Sequence, residues 1–235
     1  MNGQTINTDN PWQFSFEKLR EAESNEVLFP FLSSFNRNLR RAMKLVVLHS
    51  QIEKNPQISG GELVDDILRA SVVFAHATLE EFLRTLAIKL LPKAAERILD
   101  QIPLANSSTS GRAEKFLLGR LSKFKGKTID EVIAQSILEY YEHISFNDVQ
   151  EIAQLLENLG LDIDSVREHF PNLNALIRRR HQIVHRADQL HSPGSVNQNI
   201  LKIDGPDVAL WIVTIAAFVV SVLADAHSKN MLSNS

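Results

Sequence analysis

From Phe29 to Glu53 apolar residues recur at spacings of three and four, as in Phe35, Leu39, Met43, Val46 and Val47. That is the period of a helix with one buried face. Pro11 to Ser24 carries the same spacing and predicts a shorter helix before it; Pro30 fits the first turn of the second, where its missing N–H costs little. Asn55-Pro56 followed by Ser59-Gly60-Gly61 is the clearest break. It divides an N-terminal helical arm, 1–60, from a main bundle, 61–235. Glu62 to Leu91 is the longest patterned stretch, with Leu63, Ile67, Ala70, Val73, Phe74, Ala77, Phe82, Leu86 and Leu90 as its apolar stripe and Pro92 as its stop. It reads as a central helix.

A short helix is expected around Lys93 to Gln101, then a polar loop at Asn106 to Gly111, with helices restarting near Arg112, Thr128 and Asn147. Thr128 and Glu131 have capping-box spacing, Ser145 or Asn147 is placed to cap the next helix, and Gly160 to end it at C′. The segment from Asp164 reads as interrupted at Pro171 and reopened as Asn172 to Gln189. After a loop at Ser192-Pro193-Gly194-Ser195, a last helix starts at Gly205-Pro206 or Asp207. No alternating run suggests a strand. The fold expected is all-α, an antiparallel helical bundle with an N-terminal helical arm.

Composition narrows the function. With 235 residues the chain buries a core without staples, and with no cysteine it has neither disulfides nor thiolate chemistry, so a reducing, cytoplasmic home is expected. The formal charge of −3 means that any affinity for nucleic acid comes from a local basic patch. Met1 to Asn10 has no secretory pattern. Val208 to Ala224 resembles a membrane span but is short of the usual length of about 20 residues, with Asp207 and Asp225 at its flanks; it is read as a buried bundle helix rather than an anchor, with no membrane partner.

The local patch is Arg178-Arg179-Arg180-His181-Gln182-Ile183-Val184-His185-Arg186. On a helix, Leu173, Leu176, Ile177 and Val184 face the core and leave the basic side chains on the opposite surface and one flank. Arg180 and His185 then stand about 140° apart around the axis and about 7.5 Å along it, able to border one groove. Cleavage of RNA by its own 2′-OH needs proton transfer, which a histidine supplies near neutral pH. It also builds negative charge on phosphate oxygens, which a fixed guanidinium stabilises.

An Arg, a polar residue directly after it, and a His four intervening residues on resembles the motif of HEPN proteins; Arg180-His181-Gln182-Ile183-Val184-His185 fits it. Arg178 and Arg179 satisfy the looser spacing, but only Arg180 is followed by a polar residue other than arginine. The motif follows a long helix reading Ile67-Leu68-Arg69-Ala70 and Thr78-Leu79-Glu80-Glu81-Phe82 and precedes an apolar helix, an order similar to the RiboL-PSP type of HEPN domain over roughly 61–227. The resemblance implies a metal-independent endoribonuclease with no cofactor, its groove formed where two copies of the motif meet in a homodimer. It implies an RNA substrate and a toxin or antiviral effector, with an antitoxin or defence-system partner. His185 is then the acid/base group, Arg180 the phosphate ligand and His181 an orienting or substrate contact; Arg178, Arg179 and Arg186 grip RNA backbone, and Glu80 or Glu81 is a candidate orienting acid.

Other readings stand beside this one. The arginines alone make a basic face that binds RNA without cutting it, as in a non-catalytic or scaffold HEPN protein, and an unrelated helical interaction module is a third class. His181 and His185 are an i, i+4 pair able to share a metal with Asp188 or His191, although Gln182 stands where His-Glu-x-x-His hydrolases carry glutamate. His49, His76, His143, His169 and His227 have no partner evident in the sequence. Ala187 occupies the position at which some HEPN toxins carry a tyrosine that a partner enzyme modifies, so that route of silencing is not expected here.

Overall fold

A computed structural model describes residues 11–55, 61–105, 118–189 and 200–232. Their helices are α1 (Pro11–Glu23), α2 (Phe29–Glu53), α3 (Glu62–Leu90), α4 (Glu96–Leu99), α5 (Ile129–Glu142), α6 (Val149–Asn158), α7 (Phe170–Arg186) and α8 (Gly205–Ser228). Short 3-10 turns lie at Leu91–Lys93, Leu118–Phe124 and Arg167–His169. Among the described residues there is no strand, only an isolated antiparallel bridge between Gln189 and Ile200. The expected loops at 106–111 and 192–195, the restart near Arg112 and most of the break at 56–60 lie outside the described residues.

The longest helices, α2 and α3, form the most extensive helix pair. Their direction can be read from side-chain contacts: His49 approaches Asp65, Ser71 donates to the Ala42 carbonyl at 2.9 Å, and Phe35 packs on Phe82 at 5.6 Å between ring centroids. Positions descend on one helix as they rise on the other, so the pair is antiparallel. The segment set apart as an arm thus supplies Phe31, Leu32, Phe35 and Leu39 to the same core as Leu68, Leu79 and Leu86. Asn36 fastens α1 to α2, donating to the Leu19 carbonyl and to Glu23.

The stripe expected on α3 is out of phase over the first half of the helix, while Phe82, Leu86 and Leu90 are buried as expected. Leu63 is 81% exposed and Phe74 48%, whereas Val64, Leu68, Val72, Ala75, Leu79 and Leu83 are buried. In this half apolar residues lie on more than one side of the helix, and the side that is buried is decided by α2, α7 and α8 packing on it rather than by its own period. Val184 on α7, expected in the core, is 47% exposed, while Leu173, Leu176 and Ile177 are buried as expected.

Helix ends follow local chemistry. Thr128 accepts from the Glu131 amide and the Glu131 carboxylate accepts from the Thr128 amide, the expected capping box. Asp148, not Ser145 or Asn147, caps α6: its Oδ1 accepts from the amides of Gln150 and Glu151 at 2.8 and 3.0 Å. Gly160 ends that helix at φ +72°, with the Leu161 amide bonded to the Leu156 carbonyl. Pro171 does not interrupt a helix; it sits in the first turn of α7, where a missing N–H is harmless. The short helix expected over Lys93–Gln101 is a 3-10 turn and then the single turn α4.

Helix α8 is long and apolar enough to cross a membrane by length and composition. Here it lies against α1, α2, α3 and α7, with Val208, Ile212, Ile215, Phe218, Val219 and Val222 buried. An apolar helix surrounded by other helices fills a bundle core.

Candidate functional site

The motif occupies the last turns of α7, which runs antiparallel to both of its long neighbours: Asn172 donates to Thr214 on α8 while the later Arg178 lies across from the earlier Asp207, and Arg180 acts on His76 of α3 while Asp188, just past the helix, bonds the earlier Arg69. Arg178, His181 and His185 are all exposed and, at spacings of three and four, share one stripe of the helix. The two imidazole rings are 4.6 Å apart, tilted by 46°. Arg186 is exposed at the C-terminal end.

Arg180, only partly exposed, turns toward α3 rather than toward this stripe, and its charge acts on His76. His76 is fully buried, with Nε2 3.3 Å from the Phe146 carbonyl and Nδ1 3.7 Å from Glu80. Burial holds its pKa below the usual 6.5; Glu80 opposes this, while Arg180 and Arg84 reinforce it. Glu80 is buried, and its Oε1 has no hydrogen-bond partner among the described residues. Arg84 lies 3.9 Å from Glu80 but donates to the Tyr141 and Ile144 carbonyls. Of the two acids nominated from sequence, Glu80 therefore stands in the electrostatic neighbourhood of Arg180, while Glu81 is exposed. His76 went unassigned in the sequence, yet its i, i+4 spacing to Glu80 was there to be read.

His169, packed against Phe218, is also held below its usual value by burial, with Glu168 opposing. The two histidines give stability a definite pH dependence. Each resists protonation when folded, so below pH 6.5 the unfolded chain takes up protons that the folded one does not, and stability falls with pH. Urea melts should show a loss of up to about 1.4 kcal/mol per pH unit for each histidine as pH falls through this window. His76→Gln should flatten the slope. An unchanged slope would mean that other groups carry it.

Arg179 departs from the RNA-gripping role expected of it. Its Nη2 lies 2.6 Å from Asp188 and also donates to the Leu201 and Lys202 carbonyls. From α3, Arg69 donates through Nε to the same Asp188 oxygen at 2.8 Å and through Nη2 to the Leu201 carbonyl. Asp188 is fully buried, so two guanidinium groups close on one carboxylate. That fixes how α7 ends. Ala187 and Asp188 adopt left-handed backbone at φ +48° and +58°, both amides turn back to the Gln182 carbonyl, and the Gln182 side chain donates to the Gln189 carbonyl. Left-handed alanine is unfavourable and persists where its surroundings hold it. The turn sets the chain direction just past His185.

Asp188 is thus committed inward and is not free to join His181 and His185 on a metal. Among the described residues no group of three potential metal ligands is present, and His191 lies outside them. Neither Arg69 nor Asp188 was foreseen as half of a pair, although an arginine inside an apolar stripe is itself a signal that a buried anion awaits it.

No curated protein and no solved structure matches the chain. The family comparison does give a match, over residues 36–205, which takes in α3, the Arg69–Asp188–Arg179 cluster and the whole of the α7 motif. With most of its length and all of this architecture inside the match, the chain belongs to the RiboL-PSP-HEPN family, whose wider superfamily includes ribonucleases and RNA-binding proteins.

Proposed function

We propose that the protein is a metal-independent endoribonuclease that works as a homodimer in the cytoplasm, as a toxin or defence effector held in check by a partner. The observation that carries this reading is the exposed His181/His185 pair at the end of α7, with Arg178 on the same stripe and Arg180 on the adjoining flank. His185 accepts or delivers the proton, Arg180 binds the phosphate as charge grows on it, and His181 orients the substrate; Arg178 and Arg186 hold the RNA backbone. Glu80, whose charge acts on the same His76 as that of Arg180, is the candidate orienting acid. Because Arg180 and His185 point about 140° apart on one helix, a second copy facing the first completes the groove around a phosphate. Val184, about half exposed on the motif helix itself, offers apolar surface for that contact.

In the reaction the 2′-OH gives up its proton and attacks phosphorus, the bond from phosphorus to the 5′-oxygen breaks, and that oxygen takes a proton. Incubating a mixed RNA pool with the protein in EDTA should therefore yield fragments ending in 2′,3′-cyclic phosphate and beginning with 5′-OH. Cleavage that stops in EDTA, or that leaves 5′-phosphate, would overturn the mechanism. RNA retained but uncut would favour the binding-only reading.

A further inference from the structure

Between α7 and the start of α8 lies an open cavity of about 400 Å³, lined among others by Arg178, Gln182, Lys202, Asp204, Asp207 and Trp211. We infer that it is a nucleobase subsite that takes a guanine of the bound RNA, an inference that rests on the reading of the chain as an RNA-cleaving protein.

Charge decides against a phosphate. Arg178 and Lys202 are balanced by Asp204 and Asp207, all four exposed. Arg179, which also lines the cavity, is already neutralised by Asp188 and spends its Nη2 protons on the Leu201 and Lys202 carbonyls. An anion entering here meets two carboxylates and finds no uncommitted excess of positive charge. A neutral, flat, polar ring meets an indole on which to stack and carboxylates that accept from its N–H groups. Guanine presents two adjacent donors, N1–H and the N2 amino group, to match the two oxygens of one carboxylate; the other bases do not. The volume lies within the range of small-ligand clefts and suits one base with its sugar.

Position links the cavity to the cutting site. Arg178 both lines it and stands on the stripe of His181 and His185. From Arg178 to His185 the helix rises about 10 Å, so a base seated beside Trp211 belongs to a nucleotide one or two places from the cleaved linkage.

Trp211 is also the reporter. The chain has two tryptophans, so Trp12→Phe leaves Trp211 as the sole emitter. Titration of that variant with the four nucleoside monophosphates and with inorganic phosphate should show saturable quenching by GMP at a concentration at least about tenfold lower than by AMP, CMP or UMP, and none by phosphate. The Asp204→Asn, Asp207→Asn double variant should lose the preference while keeping its helical circular dichroism. Calorimetry of GMP on the wild-type chain should give the same affinity without relying on the Trp12 change. Quenching by phosphate as strong as by GMP, absence of saturable binding by either method, or a preference that survives the double variant would each overturn the subsite. GMP binding without RNA cleavage leaves the cavity standing and removes the ribonuclease, whereas cleavage with neither GMP binding nor a nearby guanine preference removes the cavity alone.

Discussion

Arg180→Ala and His185→Ala should each reduce RNA cleavage by about 10² to 10⁴-fold, the range expected for losing a proton-transfer group or a fixed charge on the reacting phosphate. Both side chains lie outside the tightly packed core, so helical content and melting temperature should stay close to wild type. A second effect separates the two variants. Arg180 pushes the His76 pKa down, so Arg180→Ala should let His76 take up a proton more readily and soften the acid loss of stability, whereas His185→Ala should not. Mixing the two inactive proteins gives a sharper test of the shared groove. Exchanged subunits would bring one intact Arg180 to face one intact His185, and part of the activity should return. No recovery after proven subunit exchange would remove the shared groove, and unfolding of His185→Ala on its own would remove His185 from the proposed site.

Asp188→Ala should be the most destabilising of the single changes considered, costing about 3–5 kcal/mol. The substitution removes the one carboxylate between Arg69 and Arg179, leaving two guanidinium groups close together with little water to separate them. Arg69→Ala should cost less, because Asp188 keeps its bond to Arg179. Urea denaturation of the three proteins at one pH decides the order. If Asp188→Ala melted no more easily than Arg69→Ala, the cluster would not be the anchor of the end of α7. Cleavage should fall in Asp188→Ala even at temperatures where it remains folded, because the turn at Ala187 and Asp188 fixes the direction of the chain just past His185.

What was legible in the sequence was what local rules decide. The span of α2, the capping box at Thr128, the terminating Gly160 and the start of α8 depend on residues within a turn or two of one another, and each emerges as read. The burial phase of the first half of α3 was not legible, because a helix with Leu63, Ile67 and Phe74 on one side and Val64, Leu68 and Ala75 on another offers two apolar faces. Only the neighbours choose between them. The same holds at the motif. Its residue types marked the segment, but that Arg179 turns inward while Arg178 stays exposed depends on Asp188 and on a buried arginine 119 positions earlier than it, a relation no local pattern carries. Gln182, read only as a departure from a metal signature, holds the chain after the motif through Gln189.

On the proposed ribonuclease reading, the Arg69 clamp also bears on when the chain can first act on RNA. Its partners are Asp188 and the carbonyl of Leu201, the latter 132 residues further along the chain. A ribosome must therefore have made and released the polypeptide beyond Leu201 before the end of α7 can be locked, and α8 must follow before that helix has a core to lie on. A nascent fragment that stops short of this point carries all of Arg178 to Arg186 but nothing to hold them. Synthesis itself thus keeps the motif unassembled beside the messenger being read, until the last helix has emerged.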